Sequence, residues 1–273
     1  MDLGLVGKKV VVTGGSRGIG RHIALGFARE GASVAICSRG RGAIDSTLSE
    51  LQQLGVVAYG IEADLDNPEI PAKVMDDAAD VLGGIDVLIN NASSNVTGAG
   101  GIESMTEATL LQRVVGKGFA AIRCSRAAIP HMKRAGAGRI VFIGGTSARS
   151  ALRPSEMPLG GSGMPAGLGN SMLANYARHL SMELAKDNIL ANIVHPHLTR
   201  TDRFPNLVAR TMEQRNVGEA EAKAVLASLL PIGRVIEPEE VADLVVFLCS
   251  ARAAGISGQA VAVDGGAGGN ISY

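Results

Sequence analysis

The chain has 273 residues, 46% of them hydrophobic, which is enough for one α/β domain around a single sizeable core. Its 26 basic and 26 acidic residues cancel, and aromatics reach only 3% with no Trp, so neither nucleic acid nor an anionic membrane is expected as the main partner. No apolar run approaches the ~20 residues that span a bilayer. The stretch holding Asp2, Lys8 and Lys9 does not read as a signal peptide, and Cys37, Cys124 and Cys249 lie scattered in apolar segments with no Cys/His cluster for a metal. Buried free thiols in a soluble cytoplasmic protein are the expectation.

The first element is also the most informative. Val10-Val11-Val12-Thr13-Gly14-Gly15-Ser16-Arg17-Gly18-Ile19-Gly20 reads as a strand, a glycine-rich turn and the start of a helix over residues 21–29. Gly14 permits the tight turn, Gly18 lets backbone approach a diphosphate, and Gly20 lets the helix pack on the strand; the helix N-terminus then offers unpaired N–H groups to an anion.

Strands and helices alternate from there on. Residues 33–37 predict a second strand, 44–54 a helix, 56–61 a third strand, 70–82 a helix and 85–89 a fourth strand that runs into Asn90-Asn91-Ala92-Ser93. A Gly-rich loop over 95–101 precedes a long helix over 107–133 and a fifth strand over 139–144. Residues 145–169, rich in Gly, Pro and Ser, predict irregular chain. A helix over 170–186, a sixth strand over 188–195, a helical excursion over 202–230, a helix over 237–251 and a last strand over 260–264 complete the pattern. Strands separated by helices imply parallel pairing, so a single doubly wound, Rossmann-like domain spanning 1–273 is expected, with ligands beyond the carboxyl ends of its strands.

Together these segments resemble the short-chain dehydrogenase/reductase family. Thr13-Gly14-x3-Gly18-Ile19-Gly20 is similar to its cofactor motif, Asp64 to its adenine-contacting Asp, and Asn90-Asn91-Ala92-Ser93 to its Asn-Asn-Ala-Gly. Pro231-Ile232-Gly233-Arg234, Glu239-Glu240-Val241-Ala242 and Val263-Asp264-Gly265-Gly266 resemble its C-terminal third. The resemblance implies a nicotinamide nucleotide held by Gly14, Ser16, Arg17, Gly18, Ile19, Gly20, Asp64, Asn91 and Thr201, the last against the carboxamide. Where NAD-selecting members carry an acid after the second strand, this chain has Ser38 and then Arg39. With Arg17, that residue favours a ribose 2′-phosphate, hence NADP(H). The resemblance further implies a homotetramer and a substrate lid over 202–230.

The family's proton relay is missing. Carbonyl-reducing members use a Tyr-x3-Lys pair on one helix face, the ammonium lowering the phenol pKa. The tyrosines here are Tyr59, Tyr176 and Tyr273, and none has Lys four residues on. Counting back from Glu183-Leu184 puts the Tyr position at Ala166 and the Lys position at Asn170, while the family's Ser and Asn fall on Gly145 and Val115. Replacement proton donors are His195 and His197, flanking Pro196 at the end of the sixth strand, with Ser147 and Asn170 as further polar candidates and Tyr273 as a phenol supplied in trans. Met157, Met164, Leu207, Met212 and Leu226 are either pocket lining or core. The leading expectation is an NADP(H)-dependent oxidoreductase acting on a small, mostly apolar substrate. A lyase or isomerase using the two histidines, or a silent nucleotide-binding protein, is the alternative.

Overall fold

The computed structural model describes residues 1–93, 106–149 and 164–268. The expected loop over 95–101, Met157 and Tyr273 lie outside them. Seven strands, β1 (Lys9–Thr13), β2 (Ser33–Ser38), β3 (Ala58–Glu62), β4 (Val87–Asn90), β5 (Gly138–Ile143), β6 (Ile189–Pro196) and β7 (Ala260–Val263), form one sheet in the order β3-β2-β1-β4-β5-β6-β7. Every pairing is parallel. From β1 the chain winds outward to β3, then returns to pair β4 on the other side of β1. The crevice of a doubly wound sheet therefore opens at the carboxyl ends of β1 and β4.

Side chains alternate across the sheet. Val10 and Val12 of β1 join one core with α1 (Gly18–Arg29), α2 (Arg41–Gln53) and α9 (Pro238–Cys249). Val11 joins the other, with α3 (Ile70–Leu82), α5 (Ala120–Ala135) and α6 (Met164–Glu183). Because both faces are covered, the central strands read as unbroken apolar runs rather than alternating ones.

The long helix expected over 107–133 is present but not uniform. It runs as α4 (Glu107–Arg113), a π-helical segment Val114–Phe119, and α5. Gly116 and Gly118 are buried in that segment, and a Cβ on Gly118 would overlap the Met172 side chain of α6. The missing side chains let the wide π turn lie directly on its neighbour.

A second difference concerns residues 164–169, expected to be irregular. They form the first turns of α6. Pro165 stands at the second helical position, where no intrahelical N–H is needed. Gly167 suits a tight approach, since a Cβ there would lie 2.7 Å from the Ser147 carbonyl oxygen. Composition alone pointed to a loop, and the helix forms because its glycines are packed.

The excursion over 202–230 is two helices, α7 (Phe204–Arg215) and α8 (Glu219–Ser228), separated by Asn216 at φ +51°. Phe204, Val208, Ala222, Leu226 and Val235 give it a small core of its own, against which Leu207 and Met212 pack.

Candidate active site

The floor of the site is a clamp between β1 and β4. The Thr13 hydroxyl donates to the Ile89 carbonyl at 3.2 Å and accepts from the backbone N–H groups of Asn91 and Ala92 at 3.0 and 3.1 Å. Asn91 returns the contact, its Nδ2 donating to the Thr13 and Gly14 carbonyls at 3.1 and 3.0 Å. Gly14 adopts φ +65° and Gly18 φ +52°, in the left-handed region that favours glycine. At Gly20 a Cβ would run into the Asn91 amide and the Gly14 carbonyl. The three glycines thus do separate jobs, two for conformation and one for proximity.

Above this floor lies a cavity of about 500 Å³, within the usual range for small-molecule sites. Gly14, Ser16, Arg17, Gly18, Ile19 and Gly20 line one end, together with Ser38, Arg39, Asp64, Asn91 and Thr201, so every residue expected to contact a nucleotide borders it. The N-terminus of α1 opens into this end without a side-chain cap, so its first-turn N–H groups have no such partner. The Ser16 hydroxyl is buried without a hydrogen-bond partner among the described residues. Arg17 reaches over the turn after β2: a Cβ on Gly40 would sit 3.8 Å from its Nη2. Arg39 borders the same end, and its charge counteracts the upward pull of burial on the Asp66 carboxyl.

The other end is built from β5, the π segment and α6. Ala166 and Asn170, one turn apart on α6, both line it. Asn170 is 3% exposed; its Nδ2 donates to the Ser147 hydroxyl at 3.0 Å, and its Oδ1 has no partner among the described residues. Ser147, on a single 3-10 turn over Thr146–Ala148, stands behind Asn170 and does not line the cavity. Lys117, half-buried on the π segment, does line it, and its Nζ donates to the Gly144 carbonyl at 3.0 Å. This residue was not anticipated. Its signal was a lysine between two helix-interior glycines, Gly116 and Gly118.

Neither candidate histidine borders the cavity. His195 is fully buried, with Nδ1 accepting from the Gly145 N–H at 3.1 Å and Nε2 unpartnered among the described residues. That bond assigns the ring proton to Nε2. Burial, with Arg149 and Lys117 adding repulsion, holds its pKa down at about 4, so the ring is neutral at physiological pH. His197 accepts from the Leu198 N–H at 2.7 Å, and burial lowers its pKa too, against the opposing pull of Asp264. Strand alternation carried the signal for His195: it shares a face with Ala191 and Ile193, under α6. His22 pairs with Glu239 and His131 with Asp76, neither at the cavity. Tyr176 packs edge-on against Phe142 at 5.8 Å between ring centroids.

A parallel sheet in this order, with a glycine turn and an open helix N-terminus at its switch point, defines the dinucleotide-binding class of α/β proteins. A family model described as enoyl-(acyl carrier protein) reductase matches residues 14–268. A tropinone reductase homolog of Arabidopsis thaliana is 34% identical over 264 residues, covering 96% of this chain and 92% of the relative. The chain belongs to the short-chain dehydrogenase/reductase family. Among solved structures, L-sorbose reductase from Gluconobacter frateurii, in complex with NADPH and L-sorbose, superposes with a TM-score of 0.91 at 29% identity, covering 99% of this chain and 100% of that one. A short-chain dehydrogenase from Burkholderia cenocepacia in complex with NADP gives 0.81 at 30% identity, with 96% and 98% covered.

Proposed function

We propose that this chain is an NADP(H)-dependent oxidoreductase acting on a small, mostly apolar substrate, with a proton donor other than the family's tyrosine. The observation that carries the reading is the pair Arg17 and Arg39 at one end of a cavity whose other end holds Asn170 and Ala166. The residues present fit the nucleotide. The buried, unpartnered Ser16 hydroxyl and the uncapped N-terminus of α1 are the donors a diphosphate needs, and the two guanidinium groups match a 2′-phosphate. NADPH-bound relatives of the same fold agree.

When bound, the nucleotide supplies or accepts a hydride. In this reading Asp64 contacts the adenine, Asn91 braces the floor, and Thr201 faces the carboxamide. Asn170 offers Oδ1 as an acceptor to the nicotinamide ribose, and Ser147 holds the Asn170 amide in place. The α7–α8 unit acts as a lid: it folds on its own core, while Thr201, Asp202 and Arg203 at its root border the cavity. That neither imidazole lines the cavity weighs against a histidine-driven lyase or isomerase. Leu111, Phe119, Leu168 and Met182, exposed on α4, the π segment and α6, supply an apolar face for a homotetramer, measurable by light scattering. Among the described residues no helix is long and apolar enough to cross a membrane.

The test is a fluorescence titration with NADPH and NADH, followed by a search for hydride transfer. Tighter binding of NADPH supports the reading; binding of neither nucleotide overturns it.

A further inference from the structure

Lys117 stands where the chemistry of this cavity lacks an acid. Ala166 has no proton to give, and Asn170 carries no charge. Lys117 comes from a different element, the π-helical turn between α4 and α5, and the backbone there is built to present it. Gly116 and Gly118 on either side are buried, Gly116 also borders the cavity, and a Cβ on Gly118 would displace the Met172 side chain packed on it. π turns inside helices are rare and concentrate at functional sites. The ammonium is anchored by the Gly144 carbonyl at 3.0 Å, at the carboxyl end of β5. Across the same end of the cavity, the Asn170 side chain is more than nine-tenths buried, and its Oδ1 is an acceptor that none of the described residues satisfies.

We propose that Lys117 is the proton donor of the reaction, acting on a substrate carbonyl whose oxygen lies against its Nζ. This rests on the oxidoreductase reading above. The carbonyl carbon gains the hydride that NADPH gives up, and a C–H bond forms. The C–O π pair moves onto oxygen, which takes a proton from the Lys117 ammonium as an O–H bond forms. The products are an alcohol and NADP⁺, and the amine regains its proton from water. The charge that the Tyr–Lys pair divides between two residues is here on one. The neutral state of His195 behind Gly144 fits, since the Lys117 charge acts against a second cation there.

The experiment compares the unaltered chain with Lys117→Met and Lys117→Arg, using diacetyl and camphorquinone as carbonyl probes. NADPH titration comes first. Loss of binding by the unaltered chain overturns the oxidoreductase reading itself, whereas near-equal binding by all three isolates the Lys117 question. NADPH oxidation is then expected to fall at least about 100-fold in kcat for Lys117→Met, the usual scale of general acid catalysis. Lys117→Arg is expected to fall similarly, because a guanidinium keeps its proton. Amine acetylation read by mass spectrometry should mark Lys117 in the free protein and lose that mark with NADPH and camphorquinone present. The proposal is overturned by a Lys117→Met rate near that of the unaltered chain, by full activity in Lys117→Arg, or by unchanged acetylation. It is equally overturned if the unaltered chain binds NADPH but oxidises it with neither diketone.

Discussion

A Cβ placed on Gly145 would lie 2.8 Å from Nδ2 of Asn170. The amide of α6 therefore fills the space that a side chain at position 145 needs, and the two residues depend on each other. Asn170 uses that position to donate to the Ser147 hydroxyl. Gly145→Ala should destabilise the protein by about 1–3 kcal/mol, the range for overpacking a tight site. The double variant Gly145→Ala with Asn170→Ala should recover most of that loss. Urea unfolding of the two singles and the double measures the coupling, and strict additivity would contradict it.

Arg39 offers the sharpest test of nucleotide choice. A charge-assisted hydrogen bond contributes about 1.5–3 kcal/mol, so Arg39→Ala should weaken NADPH roughly 10- to 100-fold while NADH changes by no more than about twofold. Equal losses for the two nucleotides, by fluorescence titration, would remove the 2′-phosphate assignment.

Acid should loosen the fold through His195. Its pKa is held at about 4 against an ordinary 6.5, so between those values the unfolded chain binds the extra proton. Stability from this residue is complete above the unfolded value and is lost as pH falls toward 4. The shift corresponds to about 3 kcal/mol. His197, also lowered by burial, acts in the same direction. His195→Leu should be less stable at neutral pH, because it strips the Gly145 N–H of its acceptor, yet show a shallower decline on acidification. Parallel curves from pH 7 to 4 would count against this account.

The three thiols should be silent in the folded protein. Burial pushes Cys37 up to about 12 and raises Cys124 and Cys249 as well, so thiolate is scarce at pH 8. Ellman's reagent is expected to find almost none natively and all three after denaturation. Rapid native reaction of Cys37, the one that borders the cavity, would show that its wall opens.

What the sequence disclosed was whatever depends on nearby residues. The order of strands and helices and the glycine turn are local patterns, and the nucleotide end of the cavity follows from them. The chemical end does not, because it is made of contacts between distant segments. Lys117 was hidden by the π turn, which shifts side chains around a helix whose sequence suggests regular α geometry. The first turns of α6 were hidden by glycine and proline, whose meaning depends on what lies beside them. Ser147 and Asn170 were both singled out, but only the folded cavity shows that Asn170 lines it while Ser147 supports it from behind through a 3.0 Å bond. His195 was singled out as a proton donor because it ends a strand, and the helix that covers it lies elsewhere in the chain.

The Thr13–Asn91 clamp has a consequence for how the protein is made. Its partners are 78 residues apart, and the hydrogen bonds that brace the start of the glycine turn from below come from Asn91 and its neighbour Ala92. Closing so long a loop costs chain entropy before any contact repays it. During synthesis the glycine motif emerges early but has no floor until β4 has left the ribosome and docked. The finished site is therefore acquired late, and a truncated chain ending before Asn91 would carry the recognisable motif without the floor that braces it.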